Sequence, residues 1–289
     1  MTSPQTAILK TLAYAHLFRW PLTLKELHRF LITPQKIPLS RLSSALRRLL
    51  ATRRVGEKNG FYFLPPNVAF VTSRLKNQKT SAQKLAFLQK NLFFFRLFPT
   101  VFLVAVTGNV AVGNAQSQDD IDLLIVTAPH TLWLTRLFLV PLLDFFRLRR
   151  RPSDSVFANR LCLNLFLDAG HLSLPSFQHH LFTASELAHL HPLLNRHATY
   201  QRLLSHNSWL KKHLANFPLP SSFNSFPSFP FVLLAPLNLL AYLLQLLYIF
   251  LHRRPLQKLS LFYAFFHPHD QAPLVLCRYR RLLKKLQLN

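Results

Sequence analysis

Apolar residues recur at helical spacing through the first fifty positions of the chain. Between residues 5 and 18 they are Ile8, Leu9, Leu12, Ala13 and Leu17. This spacing is typical of the buried face of a helix. A second helix is predicted in "PLTLKELHRFL", where Thr23 and Glu26 form a capping-box pattern. A third is predicted in "IPLSRLSSALRRLLATRRV", whose apolar residues again lie on one face.

After these helices the pattern changes to two short segments in "RRVGEKNGFYFLP". The Asn59-Gly60 pair between them is a strong hairpin signal, since both residue types tolerate the positive φ angles of a tight turn. Three helices followed by a hairpin over residues 1–72 are the element order of a winged helix-turn-helix. In that arrangement the third helix is the recognition helix.

The outward positions of the third predicted helix are basic, at Arg41, Arg47 and Arg48. Arginines placed in this way neutralise phosphates, so the segment is a candidate for binding nucleic acid. The alternative is a winged helix that serves as a packing or dimerisation module with an ordinary basic surface.

A second change of pattern predicts an α/β core. Residues 73–97 have the pattern of a linking helix. Beyond Pro99 the segments "VFLVAVT" and "IDLLIVT" are continuous apolar runs, as in strands buried on both faces. A helix over 131–147 and a third apolar run, "NRLCLNLFLD", complete a core over 98–174. The remaining residues, 175–289, are predicted to be helical.

This C-terminal region contains a long segment without any charged residue, 229–251. It is long enough to cross a bilayer with some tilt. Pro236, Asn238 and Gln245 interrupt the apolar pattern. Three interpretations therefore stay open: a membrane-spanning helix, a helix at the membrane surface, and a buried core or oligomer helix.

The chain carries 35 Lys and Arg residues against 10 acidic ones, a formal net charge of +25. Such a charge favours polyanionic partners: nucleic acid, nucleotides or an anionic membrane surface. A solvated basic surface would give the same composition. The two cysteines, Cys162 and Cys277, form neither a disulfide framework nor a zinc motif. We therefore expect a cytoplasmic protein, with membrane association left open.

Three of the scarce carboxylates lie together in "TGNVAVGNAQSQDDIDLLIV". Strand alternation puts Asp120 and Asp122 on one face, close enough to share a cation, whereas Asp119 precedes the alternation and points elsewhere. Two carboxylates so placed repel one another unless a cation neutralises them. Oxygen ligands favour Mg²⁺, with Mn²⁺ as the substitute, and such an ion bound with substrate phosphates is the usual arrangement for phosphoryl transfer.

The glycine turn before these carboxylates suits a phosphate. Gly108 lets the backbone approach a phosphate without a Cβ in the way, and a short helix from Asn109 would offer its N–H groups to a triphosphate. The alternative is that the aspartates only cap a strand end or form a turn.

Gly108-Asn109, a spacer of about ten residues and Asp120-Ile121-Asp122 at a strand start together resemble the signature of the polymerase-beta-like nucleotidyltransferases. The wider pattern resembles an uncharacterised bacterial subgroup in which a winged helix precedes a minimal nucleotidyltransferase domain. The matching segments are "LAYAHLFRWPLTLKELHRFL", "WLTR", "LCLNLFLD", "NSWL" and "FHPHD". The resemblance implies metal-dependent transfer of a nucleoside monophosphate from an NTP to an acceptor hydroxyl. Asp120 and Asp122 would bind the metals, and Gly108 and Asn109 would hold the β- and γ-phosphates.

The chain departs from that signature at two positions. Asn109 stands where the family commonly has Ser. Family members also supply a third carboxylate from a later strand, where "LCLNLFLD" has the neutral Asn164 at its centre and Asp168 at its end. Asp168 is therefore the candidate third catalytic residue. If Asn164 occupies that position instead, the general base is missing and transfer is slow or absent.

Three functions follow as hypotheses. The leading one is a nucleotidyltransferase whose winged helix positions a nucleic-acid or protein partner. The second is a catalytically degenerate nucleotide sensor with a DNA-binding winged helix, and the third is a membrane-peripheral scaffold that uses residues 229–251. Asp168 within reach of the metal site would favour catalysis, whereas Asn164 in its place would favour sensing.

Overall fold

The computed structural model describes residues 3–151, 154–221, 231–252, 258–266 and 271–288. The first two residues of the predicted apolar segment, the two arginines that follow it and most of the "FHPHD" motif lie outside the described residues. The described chain is a mixed α/β protein built around a three-stranded and a six-stranded sheet.

The N-terminal region contains three helices and the smaller sheet. Its elements are α1 (Pro4–His16), β1 (Leu22–Thr23), α2 (Leu24–Arg29), α3 (Leu39–Ala51), β2 (Gly56–Lys58) and β3 (Phe61–Phe63). The strand order is β1-β3-β2. Asn59 and Gly60 form the predicted turn, with φ angles of 54° and 77°. The predicted capping box of Thr23 and Glu26 is also present. The three helices and the hairpin are thus confirmed, and β1 is an additional strand.

A long helix, α4 (Ala69–Asn91), leads from this region to the larger sheet, followed by the short α5 (Phe93–Arg96). These two helices occupy most of the range 73–97, for which one linking helix was predicted. The first of these helices starts at Ala69, inside the segment 1–72 that the sequence assigned to the winged helix-turn-helix.

The larger sheet has strand order β7-β4-β5-β6-β9-β8. Its strands are β4 (Val101–Val106), β5 (Ile121–Thr127), β6 (Leu161–Asp168), β7 (His191–Asn195), β8 (Lys258–Leu259) and β9 (Tyr263–Phe265). β5 and β6 pair in parallel, and the other neighbours pair antiparallel. The three apolar runs are strands, as predicted. The prediction of a helical C-terminal region was wrong in part, because three strands from beyond residue 174 complete this sheet.

Helices cover both faces of the larger sheet. On one face the core contains residues of α5, of α7 (Leu132–Phe145) and of α10 (Ala235–Leu251). On the other face it contains residues of α8 (Leu181–His189) and α9 (Thr199–His206). Between β4 and β5 lies the one-turn helix α6 (Gly108–Ala111). The last helix, α11 (Gln271–Lys285), returns to the N-terminal core, where the Tyr279 hydroxyl donates to the Lys10 carbonyl over 3.0 Å.

In the described part of the chain, Phe231–Leu251 is the helical segment that is long and apolar enough to cross a membrane. Its mean hydropathy is 2.0, and only 22% of its most apolar window is buried. This low burial argues against the interpretation as an ordinary core helix.

Candidate functional site

The glycine turn and the two aspartates meet where β4 ends and β5 begins. The Thr107 N–H donates to the Asp122 carbonyl over 3.0 Å, so the end of β4 is joined to the start of β5. Gly108 has a φ of 63°, a left-handed conformation that favours glycine. A Cβ at this position would lie 3.2 Å from Oδ2 of Asp122. Glycine thus lets the backbone of α6 approach the Asp122 carboxylate.

Asp120, Asp122 and Cys162 form a cluster that could hold a metal ion. One carboxylate oxygen from each aspartate and the Cys162 Sγ all lie within 4.8 Å of one another. The cysteine is brought there by parallel pairing, since Asp122 lies opposite Cys162 in the β5–β6 register. Cys162 was not predicted as a site residue, because a single cysteine in an apolar run carries no ligand signal until the strands are paired.

The negatively charged forms of the groups in this cluster repel one another. Burial, and next the neighbouring Asp120 carboxylate, raise the pKa of Asp122 to about 7. Burial and the Asp122 carboxylate raise the pKa of the Cys162 thiol as well. Arg150 partly compensates, because its Nη1 donates to Oδ2 of Asp120 over 2.7 Å. A divalent cation between the two carboxylates would favour their charged forms.

Asn164 follows Cys162 by two residues on β6, and its side chain reaches the Asp122 carboxylate. Its side-chain amide donates a hydrogen bond to the Asp122 carboxylate. Its amide oxygen accepts from the Cys162 Sγ at 2.8 Å. The β6 side chain that is hydrogen-bonded to the Asp122 carboxylate is therefore a neutral amide and not a third acid.

The prediction that Asp168 supplies a third carboxylate to this site was wrong. Asp168 lies opposite Thr127 at the far end of the β5–β6 pair, whereas Asp122 lies opposite Cys162. Six residues of strand separate Asp168 from Cys162, about 20 Å at ~3.3 Å per residue. The Asp168 carboxylate instead accepts from the backbone N–H groups of His130 at 2.7 Å and Gly170 at 2.8 Å. Its role in the described structure is to organise the turns at that end of the sheet.

Asn109 and Asp119 interact within the loop that precedes β5. The Asn109 amide donates to the Asp119 carboxylate over 3.2 Å, and the same oxygen accepts from the Gln116 N–H over 3.0 Å. Asp119 therefore closes the loop and stays outside the cluster with Cys162. The phosphate-binding role of Asn109 stays a prediction; its side-chain amide has a second N–H besides the one that binds Asp119.

Glu186 on α8 is a further carboxylate beside the glycine turn, and it was not predicted from the sequence. The backbone N–H of Gly108 donates to this carboxylate, while burial raises the pKa of Glu186 to about 7. Its charge also raises the pKa of Asp122. No sequence signal connects Glu186 with the motif, because only the packing of α8 on α6 brings the two together.

One polar face of α4 holds the loop between Gly108 and Asp120. Four residues at helical spacing contribute to it: Arg74, Asn77, Ser81 and Lys84. Arg74 donates to the Val112 carbonyl and pairs with Glu26 of α2 at 2.9 Å. The loop is therefore tied to α4, and through Arg74 to the N-terminal region.

Further along α4, two more residues of this face bind the backbone of the loop. The Ser81 hydroxyl accepts from the Ala115 N–H over 3.0 Å. The buried Lys84 ammonium donates to the Ser117 carbonyl over 3.1 Å and to the Asp119 carbonyl over 2.6 Å. The Lys84 ammonium thus holds the segment that leads into Asp120. The sequence had predicted only that this lysine belongs to the linking helix.

The three arginines predicted to contact nucleic acid, Arg41, Arg47 and Arg48, all lie exposed on α3. Arg41 and Arg48 line a groove between α3 and the start of α1, together with Ser3, Gln5, Ser40 and Ser44. Guanidinium groups and hydroxyls in an open groove can bind the oxygens of a phosphate.

Comparison with known proteins found no family model, no curated protein and no solved structure that matches this chain. The class defined by the structure itself is a mixed α/β protein with a partly buried cluster of two carboxylates and a thiol that could hold a metal ion.

Proposed function

We propose that this protein binds a divalent metal ion and a nucleoside triphosphate at the Asp120–Asp122 cluster, and that nucleotide sensing is its main activity. The observation that carries the proposal is the close approach of the Gly108 turn to two clustered carboxylates. A glycine turn next to paired aspartates suits a nucleotide whose phosphates bring their own cation. This is also the arrangement that the resemblance to the polymerase-beta-like nucleotidyltransferases implies.

Asp120 and Asp122 would hold the ion, for which Mg²⁺ or Mn²⁺ is the natural choice with oxygen ligands. When bound, the ion would neutralise the nucleotide phosphates and the two carboxylates. A thiol ligand would instead favour a softer ion such as Zn²⁺. The cluster offers two carboxylates against one thiol, and this excess of oxygen ligands supports the harder ions.

Two features support sensing over catalysis. Asn164 faces Asp122 where a third carboxylate would be needed, and Asp168 lies at the other end of the strand pair. Without a carboxylate in that position an acceptor hydroxyl has no general base on β6, so transfer would be slow or absent.

Nucleotidyl transfer is the second candidate, and Glu186 is the observation that favours it. This carboxylate lies beside Gly108 and has a pKa raised to about 7, which is suited to accepting a proton near neutral pH. The carboxylate accepts from the Gly108 N–H, the same group that a phosphate would need, so it would have to move when a nucleotide binds.

For the N-terminal region we propose a winged helix-turn-helix that binds nucleic acid through phosphates. The order of helices and hairpin and the exposed Arg41, Arg47 and Arg48 support it. For the location we propose a cytoplasmic protein that associates with a membrane, supported by the low burial of its apolar helix.

The nucleotide proposal is tested by equilibrium binding of labelled NTPs with Mg²⁺, Mn²⁺, Zn²⁺ or chelator. We expect binding that requires Mg²⁺ or Mn²⁺ and is lost in Asp120→Asn/Asp122→Asn. The matched control is Asp154→Asn, which removes a carboxylate outside the cluster and should leave binding unchanged. Binding that persists in the double variant, or in chelator, would refute the proposal.

The choice between sensing and transfer needs a second assay, in which labelled NTP is incubated with candidate acceptors. Metal-dependent binding without label transfer supports sensing. Label transfer that is lost in Glu186→Gln, with binding retained, would instead establish the catalytic alternative.

A further inference from the structure

The apolar helix α10 has an inverted distribution of polar and apolar residues. The residues that it buries against the protein are Asn238, Ala241, Gln245 and Ile249. Its outward face is apolar, and the side chains that are about half or more exposed are Leu237, Leu239, Leu240, Leu243, Leu244, Leu247, Tyr248, Phe250 and Leu251. A helix of a water-soluble protein has the opposite arrangement. The outward face therefore needs an apolar environment that the described chain does not provide.

The buried polar residues attach α10 to α7. The Asn238 Oδ1 accepts from the backbone N–H groups of Trp133 at 2.7 Å and Leu134 at 3.1 Å. These are first-turn donors of α7, which have no partner inside their own helix. Asn238 thus caps α7 from a helix that is distant in the sequence.

A second attachment lies two turns further along α10. The Gln245 Nε2 donates to the Trp133 carbonyl over 2.8 Å, and its Oε1 accepts from Arg136, whose guanidinium lies 4.1 Å from the ring centroid of Phe266. Moving α10 away to cross a bilayer would leave these buried groups without partners, and each such loss is costly. The helix is therefore held against the core along its length.

The neighbouring elements extend the apolar surface of α10. Phe138 and Phe145 of α7 are 59% and 81% exposed, and α7 packs on the same sheet face as α10. The ring centroids of Phe146 and of Phe94 on α5 lie 4.7 Å apart. The apolar layer thus comprises the outward faces of α10 and α7 and the edge formed by α5.

Basic residues lie at the border of this apolar layer. Arg147 and Arg151 follow the last phenylalanines of α7, Arg96 ends α5, and all three are exposed. The chain as a whole carries +25. Two copies of so basic a chain would repel each other, whereas anionic head groups would attract it. The charge therefore favours a lipid surface over a second copy as the occupant.

We propose that α10, with the exposed phenylalanines of α7, lies in the plane of an anionic lipid bilayer and anchors the protein from one side. This inference rests on the proposed membrane association and specifies its geometry: an in-plane helix, not a spanning one. By strand alternation Asp122 shares a sheet face with Leu124 and Val126, and these two residues pack on the face opposite to α7 and α10. The candidate metal site therefore lies on the side of the sheet away from the lipid.

The binding test uses the full chain with vesicles of phosphatidylcholine, with and without phosphatidylglycerol. We expect sedimentation with the anionic vesicles and weaker sedimentation with the neutral ones. Leu240→Gln/Leu247→Gln should weaken partitioning at least about tenfold, because two exposed leucines lose their contact with acyl chains. Leu75→Gln on α4 is the control of similar exposure and should bind as the unchanged chain does.

The geometry is tested separately, with a fluorescent probe on single cysteines introduced by Leu237→Cys, Leu244→Cys or Leu251→Cys in a Cys162→Ser/Cys277→Ser background. These positions are seven residues apart and share one helix face. Quencher lipids should report the same shallow depth at all three positions. Depths that run from one interface through the bilayer centre to the other would overturn the in-plane helix but leave membrane association standing.

Two results would overturn both the in-plane helix and the membrane association. The first is an absence of binding to anionic vesicles. The second is a stable dimer by analytical ultracentrifugation that persists with vesicles present and dissociates in Leu240→Gln/Leu247→Gln, since a second copy would then be the occupant of the apolar layer.

Discussion

The side-chain amide of Asn164 on β6 donates a hydrogen bond to the carboxylate of Asp122 on β5. This contact lowers the pKa of Asp122, against the larger effects of burial and of Asp120 that raise it. A neutral donor in this position stabilises the charged aspartate without an ion, whereas a third acid would require one. The contact therefore bears directly on how the site uses a metal.

Replacing Asn164 by aspartate should make the fold depend on a divalent ion. In Asn164→Asp we expect the free energy of unfolding in chelator to fall by about 3 kcal/mol, because a buried charge loses its compensation. Mg²⁺ or Mn²⁺ should restore it. Denaturant unfolding with and without the ion measures both effects. Asn195→Asp, which adds the same charge on β7, is the control, and an equal response to the ion in both variants would contradict the prediction.

Asp168 should matter for stability and not for metal binding. Asp168→Asn replaces one acceptor oxygen by an amide that cannot accept from His130 or Gly170, so the free energy of unfolding should fall by about 1–3 kcal/mol. Urea unfolding measures this, and calorimetric titration with Mn²⁺ should give an unchanged affinity. A loss of ion affinity without loss of stability would show that Asp168 belongs to the metal site after all.

Lys84 should control the loop that leads into Asp120. Lys84→Met leaves the carbonyls of Ser117 and Asp119 without their cationic donor, and we expect about 1–3 kcal/mol of destabilisation together with weaker ion binding. The matched control is Lys79→Met, an exposed lysine on the same helix. Protection of the loop amides in hydrogen exchange should fall in the first variant only; equal protection in both would argue against the tether.

His189 should make the folded state sensitive to acid. Burial lowers its pKa to about 4, and its Nε2 is buried without a partner while Nδ1 contacts the Ser185 carbonyl at 2.7 Å. Because the unfolded histidine takes up a proton near pH 6.5, the folded state binds fewer protons between pH 6.5 and 4. This residue's contribution to stability is thus present above pH 6.5 and is lost as the pH falls towards 4.

Asp122 and Glu186 have raised pKa values, so their contributions to stability change with pH in the opposite sense to that of His189. The informative quantity is therefore the difference in free energy of unfolding between a variant and the unchanged chain. As the pH falls from 7 to 4, the free energy of unfolding of His189→Phe should rise by about 2–3 kcal/mol relative to that of the unchanged chain. Urea unfolding across this range measures the difference. The exposed His191→Phe is the control, and parallel pH curves for both variants and the parent would rule the effect out.

The exposed arginines of α3 should set the salt dependence of any binding to duplex DNA. Each phosphate contact removed by Arg41→Ala or Arg48→Ala should reduce the slope of log K against log salt by about 0.9. Arg280→Ala on α11 is the matched control. A flat salt dependence in the unchanged chain would count against phosphate contacts altogether.

Much of the local structure followed from the sequence, because it depends on neighbours in the chain. Asn59-Gly60 predicts its hairpin through the φ angles of two adjacent residues, and Thr23 with Glu26 predicts its cap through a spacing of three. The pairing of Asp120 with Asp122 follows from strand alternation in the same way. The strands β7, β8 and β9 were missed because they are short, and their pairing partners lie far away in the chain.

The sequence by itself therefore determined the helices, the hairpin, the three apolar strands and the two-aspartate motif. Only the tertiary structure decided what surrounds that motif. The β5–β6 register, with its irregularity after Asp122, brings Cys162 and Asn164 to the aspartates and carries Asp168 to the far end. Helix packing likewise turns Asn238 and Gln245 inward and leaves the leucines of α10 outside. Spacing along the chain specifies which residues share a face, but the direction of that face depends on contacts between segments that are distant in sequence.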